Sequence, residues 1–140
     1  MELKLSMNPD WMSVKGRDAE VKLSSCQLSS VYLCNRLALV QQVDLSENEL
    51  TDRSLSALGS LQLCQKLDLR ANKLVTLTAF PHLPTLKFLN LSENQLARDS
   101  VIKDNLANAN LKKIERIELV NNPCSDENEI KEMMSKLNVV

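Results

Sequence analysis

The chain has 140 residues, of which 44% are hydrophobic and 3% are aromatic. It is long enough to bury one continuous core of aliphatic side chains, and its two glycines and four prolines leave no room for a flexible linker. Seventeen basic residues balance eighteen acidic ones, for a net charge of −1, so we expect no direct binding to a nucleic acid backbone. No apolar run approaches the roughly 18 residues that a membrane-spanning helix needs, so no membrane is expected as a partner.

Residues 1–17 precede the periodic part of the chain and are predicted to form an N-terminal cap segment. A stack of repeats exposes apolar core at its end, and apolar residues of this segment can cover that core. The first residues are too charged to resemble the apolar region of a signal peptide. The predicted lid residues are Leu5, Met7, Trp11, Met12 and Val14.

Residues 18–124 carry one pattern five times, Leu-x-x-Leu-x-Leu-x-x-Asn/Cys-x-Leu, which is the leucine-rich repeat pattern. In Leu67-Asp68-Leu69 the leucines point to one side and the aspartate to the other, as in a short half-buried strand. The pattern predicts an α/β fold, a leucine-rich repeat solenoid. About five short parallel strands would form its concave face, and 3₁₀ or short helical returns its convex face.

One polar position recurs where each predicted strand ends. An asparagine amide there can donate to and accept from turn backbone groups that would otherwise be buried without partners. We therefore predict a structural ladder, with a cysteine in the first copy. Its members are Cys26, Asn48, Asn72, Asn94 and Asn122.

The return segments differ in length and predict different structures. Apolar residues at three-residue spacing favour 3₁₀-like or irregular returns, because side chains eclipse at that spacing in a 3₁₀ helix. The longest return, residues 99–109, predicts a short helix with Val101, Ile102 and Leu106 on one side. Residues 125–140 predict a C-terminal capping helix, which closes the core with Ile130, Met133, Met134 and Leu137. The three-spaced residues are Val31, Cys34, Leu37, Leu77, Phe80 and Leu83.

Catalytic, metal and cofactor motifs are not found. The chain has one histidine, His82, and none of the nucleophile, phosphate-loop or metalloprotease patterns. We therefore predict no enzyme activity, no catalytic residue, no metal and no cofactor. The four cysteines occupy repeat positions that point into the core, which favours small buried side chains in a reducing compartment, the cytoplasm or the nucleus. They are Cys26, Cys34, Cys64 and Cys124.

The outward positions of the strands form the predicted binding face for another protein. Arg70 and Phe88 stand out, since arginine and aromatic side chains dominate interface hot spots, and we expect them to contribute to one patch. The competing interpretation is that these charges are an ordinary solvated surface, with Phe88 as a scattered exposed apolar residue. The predicted partner-binding residues are Asp44, Lys66, Asp68, Arg70, Phe88, Asn90, Arg116 and Glu118.

Three stretches resemble parts of known intracellular leucine-rich proteins. Leu37-Ala-Leu-Val-Gln-Gln-Val-Asp-Leu-Ser-Glu-Asn-Glu-Leu50 and Leu83-Pro-Thr-Leu86 resemble the C-terminal leucine-rich domain of Rab geranylgeranyltransferase α subunits, as does the ending from Glu127 to Val139. Acidic nuclear phosphoproteins, phosphatase regulators and the spliceosomal A-prime protein have related repeats. The helical prenyltransferase region of the α subunits has no counterpart here, so the resemblance carries over no prenyl-transfer residue.

These patterns together predict a non-catalytic intracellular scaffold, expected to be a monomer, that binds a partner protein through its concave strand face. One alternative is a structural leucine-rich domain of a Rab geranylgeranyltransferase α subunit. Another is a nuclear adaptor of the acidic phosphoprotein or RNA-processing type. The chain would be an excised domain, a freestanding relative of these α subunits or a member of a different branch.

Overall fold

The computed structural model describes residues 2–4, 12–13, 20–28, 30–32, 40–97 and 99–126. Short strands and a few helical turns make up this part of the chain. The strands are β1 (Glu2–Lys4), β2 (Met12–Ser13), β3 (Glu20–Lys22), β4 (Ser30–Tyr32), β5 (Gln42–Asp44), β6 (Lys66–Asp68), β7 (Phe88–Asn90) and β8 (Arg116–Glu118). One α-helix, α1, spans Asp99–Ala109, and 3₁₀ helices span Asp52–Ser60 and Pro123–Asp126.

Five strands, one from each repeat, lie side by side in a single sheet. The order is β2-β3-β5-β6-β7-β8, and all neighbours from β3 to β8 are parallel, whereas β2 pairs antiparallel with β3. The register aligns the middle residues of the five parallel strands in one row, which is buried. The predicted leucine-rich repeat solenoid with five parallel strands is therefore confirmed.

The core is a stack of leucines contributed by equivalent positions of successive repeats. Leu45, Leu69 and Leu91 are fully buried, and so are Leu50, Leu74 and Leu96 at the end of the same motif copies. Alternation along each strand sends these side chains inward and leaves the intervening residues on the opposite face of the sheet. Each repeat thus buries its apolar face against its neighbours.

Each strand ends in a turn with one residue in the left-handed backbone region. The φ angles of these residues lie between 54° and 61°, although none of them is glycine. In the first four of these turns the backbone N–H group of this residue donates to the next repeat, as Glu47 does to the Arg70 carbonyl at 2.8 Å and Ala71 to Ser92 at 3.0 Å. The turn therefore keeps the repeats in register beyond the ends of the strands. The five residues are Ser25, Glu47, Ala71, Glu93 and Asn121.

The returns show both agreement and difference. The helix predicted for residues 99–109 is confirmed as α1, and it buries Ile102 and Leu106. The first return was predicted to be 3₁₀-like or irregular, and at residues 30–32 this prediction is wrong, because β4 is a strand paired in parallel with β1. Ser30-Val31-Tyr32 contains a β-branched and an aromatic residue, which suit a strand once a partner strand is available.

Several predictions lie wholly or partly outside the described residues. Of the segment 1–17 the structure describes only β1 and β2, so the predicted lid residues Leu5, Met7, Trp11 and Val14 lie outside it. The same holds for Cys34 and Leu37 in the first return. Of the capping segment 125–140, only the end of the 3₁₀ helix Pro123–Asp126 is described. The boundaries of the two cap segments stay predictions.

Candidate protein-binding face

The outward side chains of the five parallel strands form three rows that run across the sheet. We call this surface the strand face. It corresponds to the predicted concave face. The first row is Glu20, Gln42, Lys66, Phe88 and Arg116, and the second is Lys22, Asp44, Asp68, Asn90 and Glu118. The third row, just beyond the strands, is Ser24, Ser46, Arg70, Ser92 and Val120.

The first row places an exposed aromatic ring between two cations. Phe88 is 41% exposed, and its register partners are Lys66 on β6 and Arg116 on β8, which are both exposed. Neighbouring strands lie about 4.8 Å apart, so the three side chains form a continuous group. A groove of about 360 Å³ opens over these three strands. Among the described residues, the groove brings together six of the eight predicted partner-binding positions: Lys66, Asp68, Phe88, Asn90, Arg116 and Glu118.

The second row performs a structural task that the sequence reading did not identify. The Oδ1 atoms of Asp44, Asp68 and Asn90 each accept a hydrogen bond, at 3.0 Å, from the backbone N–H two residues later. This side-chain acceptor pattern is an ordinary use of Asp and Asn where a strand gives way to a turn. The signal was the recurrence of Asp or Asn between the two leucines of the motif. These side chains therefore help to end the strands, whatever they bind.

The surroundings of Asp68, at the centre of the second row, disfavour the charged form of its carboxyl group. Burial raises the pKa of Asp68, and the neighbouring Asp44 carboxylate raises it further, while the backbone N–H of Arg70 opposes the rise. Asp44 and Asp68 are register partners on adjacent strands. A second, smaller depression lies over them, and Glu20, Gln42, Val43 and Lys66 complete its lining. The two depressions meet at Lys66 and Asp68, which line both.

Arg70 lies away from the group around Phe88. It is in the third row on β6, whereas Phe88 is in the first row on β7, and these positions are four residues apart along the strand direction, or about 13 Å. Its guanidinium is tied to Glu47 at 2.7 Å and to Glu93 at 2.9 Å. Arg70 and Phe88 are therefore not neighbours on the face, contrary to the expectation of one patch. Phe88 and Arg70 occupy different positions of the repeat motif, an offset that the prediction of one patch overlooked.

The arginine belongs to a polar chain that crosses four repeats at the turn end of the sheet. The Ser25 hydroxyl donates to Glu47 at 2.6 Å, and Arg70 joins Glu47 to Glu93. These hydrogen bonds and the positive charge of Arg70 lower the pKa of the Glu47 carboxyl. Hydrogen bonds to Glu47 and Glu93, together with their negative charges, raise the pKa of Arg70, so Arg70 and Glu47 both stay charged near neutral pH. We call Ser25, Glu47, Arg70 and Glu93 the turn chain.

The four asparagines of the predicted ladder are buried and link successive repeats. In Asn72, Oδ1 accepts the N–H of Leu50 at 3.0 Å, and Nδ2 donates to the carbonyls of Leu45 and Leu69, both at 3.0 Å. One of these groups lies in the asparagine's own strand end and two lie in the preceding repeat. The same pattern holds at the equivalent positions Asn48, Asn94 and Asn122.

Cys26 departs from the sequence prediction. It was expected to be buried at the first position of the ladder, and this is wrong, because its side chain is exposed. Its N–H donates to Asn48 Oδ1 at 2.9 Å, while its thiol donates only to the Ser24 carbonyl at 3.3 Å. The other described cysteines, Cys64 and Cys124, are buried. Burial raises the pKa of Cys64 to about 12, so its thiol stays protonated at neutral pH.

The chain's one histidine, His82, lies outside the strand face. His82 Nδ1 lies 2.8 Å from the carbonyl of Ala109 at the end of α1, which places the ring at a helix terminus. No group of three or more metal-ligating side chains comes together within the described residues. None of the helices described there is long and apolar enough to cross a bilayer.

Comparisons with known proteins agree with the repeat geometry. The family model for leucine rich repeats matches residues 38–96, which contain β5, β6 and β7. Protein PAC2 of Saccharomyces cerevisiae is 32% identical over 97 residues, and the match covers 63% of this chain but 19% of that protein. This chain therefore corresponds to under a fifth of that relative's length. The family-model match supports a leucine-rich repeat protein.

Proposed function

We propose that this leucine-rich repeat chain is a non-catalytic scaffold that binds another protein through the strand face. The observation that carries the proposal is the exposed Phe88 ring, which lines the groove together with charged and polar side chains of the neighbouring strands. An aromatic anchor beside cations and hydrogen-bonding groups is the usual composition of an interface hot spot.

The backbone beneath this face favours binding because it is held in place before a partner arrives. Each parallel strand is paired on both sides from β5 to β7, and the turns and asparagines bond the repeats again just beyond the strands. A surface that is ordered in advance loses little conformational entropy on association. Such a face suits a partner that docks without large rearrangement of the scaffold.

The finer parts of the proposal concern location and partner class. We propose that the chain acts as a monomer in the cytoplasm or nucleus, in keeping with the free thiols at Cys26 and Cys64. The resemblance to Rab geranylgeranyltransferase α subunits makes a prenyltransferase β subunit one partner to look for. Phosphatases and RNA-processing proteins are the others that the related families imply.

The test is retention of a native partner by matched variants. Wild-type protein, Phe88→Ala and Val75→Ala would be immobilised and exposed to native extract, and the retained proteins would be identified by mass spectrometry. Val75 is a fitting control because it is 48% exposed and lies in a return, away from the strand face. The affinity of each variant for the purified partner would then be measured.

We expect Phe88→Ala to weaken binding by more than about 1 kcal/mol, with Val75→Ala close to wild type. Both variants should keep nearly the stability of the wild type, since neither side chain belongs to the buried core. A partner that binds Phe88→Ala and wild type equally, but loses affinity for changes in α1, would contradict the proposal.

A further inference from the structure

The groove on the strand face has an ordered arrangement of charge. It is centred on β7, whose outward residues Phe88 and Asn90 are neutral. On one side β6 contributes Lys66 and then Asp68, and on the other side β8 contributes Arg116 and then Glu118. Cations therefore flank the groove at its Phe88 end, and carboxylates flank it at its Asn90 end.

The two ends are separated by a distance that a polypeptide can match. Phe88 and Asn90 are two residues apart on one strand, so the cationic and acidic rows lie roughly 6.6 Å apart. In an extended segment, side chains two positions apart point to the same side with the same separation. If such a segment carries an acidic and a basic residue two positions apart, the acidic side chain can lie near the cationic row while the basic side chain lies near the acidic row.

We propose that the groove receives an extended segment of a partner protein that runs along β7 and carries an acidic and a basic residue two positions apart. The acidic side chain lies over Phe88 between Lys66 and Arg116, with its methylene groups against the ring. The basic side chain lies over Asn90 between Asp68 and Glu118. This inference rests on the proposed function and adds to it the chemistry of the bound segment.

The ion pair between Arg116 and Glu118 competes only weakly with the binding of a charged segment. Arg116 and Glu118 form an ion pair at 3.0 Å, but their side chains are 49% and 34% exposed. Exposed ion pairs contribute little, because water screens them and ordering their side chains costs entropy. Asp68 should interact more favourably with a bound cation than Glu118 does, because burial and the Asp44 carboxylate disfavour its negative charge and raise its pKa. A cation placed over Asp68 relieves that unfavourable charge.

The experiment uses three synthetic peptides that differ only in charge pattern, in a threonine-rich host that favours extended structure. They contain Glu-x-Arg, Glu-x-Glu and Arg-x-Arg. Each is titrated into isotope-labelled full-length protein, and backbone amide NMR shifts report both affinity and location. We expect Glu-x-Arg to shift amides of β6, β7 and β8, and to bind about tenfold more tightly than either control peptide.

A charge reversal provides the decisive comparison. In Lys66→Glu/Arg116→Glu, the Phe88 end becomes acidic, so Arg-x-Arg should become the preferred peptide. The matched control is Arg53→Glu/Lys112→Glu, which changes the same residue types at exposed positions outside the strand face and should keep the wild-type preference. If the first variant does not fold, Lys66→Gln/Arg116→Gln should abolish the preference for Glu-x-Arg over Arg-x-Arg.

Equal affinity for the three peptides, absence of shifts, or shifts outside β6–β8 would overturn the inference. So would an unchanged preference in a folded variant with the cations reversed or neutralised. These results are separate from the test of the scaffold function. A native partner that is lost with Phe88→Ala while the peptides show no charge preference would keep the strand face as the binding site and reject this segment chemistry.

Discussion

Buried polar side chains have the clearest individual roles in this molecule. Asn72 satisfies one backbone donor and two backbone acceptors within about 3 Å, and its own exposed fraction is 6%. If such a group loses its partner in the interior, the protein is destabilised by more than the loss of a surface hydrogen bond would cost, because no water replaces the lost partner. Residues of this kind hold the turns of neighbouring repeats together.

We expect Asn72→Ala to lower the free energy of unfolding by about 1–3 kcal/mol, since the Leu50 N–H and two carbonyls lose their partner. Denaturant unfolding measures the change. Lys73→Ala is the neighbouring surface control, and its effect should stay within about 0.5 kcal/mol. Asn72→Asp keeps an acceptor but loses both amide donors, so it should also destabilise. Wild-type stability in Asn72→Ala would contradict the ladder.

Asp68 illustrates a residue whose shape matters more than its charge. Asp68→Asn keeps an Oδ1 acceptor for the N–H of Arg70, as Asn90 does for Ser92, and removes a charge that burial and Asp44 disfavour. We expect equal or slightly higher stability at neutral pH. Asp68→Ala loses the acceptor and should cost about 1 kcal/mol.

The pH dependence of stability tests whether the charge of Asp68 destabilises the folded protein. Because the folded pKa of Asp68 is raised, the wild type gains stability as the pH falls through that pKa and the carboxyl is protonated. Any advantage of Asp68→Asn should therefore shrink in acid. An advantage that grows as the pH falls would show that the Asp68 charge stabilises the fold. Denaturant unfolding at neutral and acidic pH distinguishes the two.

At the scale of one element, the turn after each strand combines a rare backbone conformation with ordinary residues. Ser25, Glu47, Ala71, Glu93 and Asn121 all have positive φ. A left-handed conformation costs an L-residue roughly 1–2 kcal/mol relative to the right-handed one. The turn is retained because the next repeat accepts its N–H groups, so neighbouring repeats hold the conformation that the local sequence disfavours.

We expect Ala71→Gly to stabilise the protein by up to about 1 kcal/mol, because glycine removes the strain at φ 56° but makes the unfolded chain more flexible. Thermal or denaturant unfolding measures it. Ala57→Gly, in the 3₁₀ helix Asp52–Ser60, is the same substitution without positive φ and should cost about 0.5–1 kcal/mol. Equal losses in the two variants would show that Ala71 is not strained.

At the scale of the whole molecule, hydrogen bonds and ion pairs between side chains connect successive repeats along the turn edge of the sheet. The turn chain joins residues that are 22 or 23 positions apart in sequence. Its members come from the first four repeats, so it follows the axis along which the repeats stack. Such a chain links the stability of several repeats to pH and salt.

We expect Glu47 to make stability fall in acid. Its folded pKa is lowered, first by Ser25 and then by Arg70, so its contribution is present above the usual glutamate range and is lost as the pH falls through the folded pKa. Glu47→Gln should be less stable than wild type at neutral pH, and the two should converge in acid and in high salt.

The measurement is the unfolding midpoint at several pH values. Glu115→Gln is a control at an exposed position outside the turn chain, and it should show no such convergence. A difference between Glu47→Gln and wild type that persists in acid would remove the ion pair as its cause.

The sequence by itself determined the parts of the fold that depend on local periodicity. The alternation in Leu67-Asp68-Leu69 indicated which residues enter the core, because successive strand residues face opposite sides. The long segment 99–109 indicated α1 through its length and its buried Ile102 and Leu106. Both are properties of residues a few positions apart, so one sequence suffices to read them.

Only the tertiary structure decided which side chains from different repeats meet. Arg70 joins Glu47 and Glu93 rather than the Phe88 group, because the strand register places its side chain between the strand ends of the two neighbouring repeats. β1 turns residues 30–32 into a strand, and Cys26 is exposed although its motif position suggested burial. The raised pKa of Asp68 likewise depends on burial and on Asp44 of the adjacent strand. These outcomes depend on neighbours more than 20 residues away in the chain. The repeat motif aligns these residues, but it does not determine which side chains form contacts.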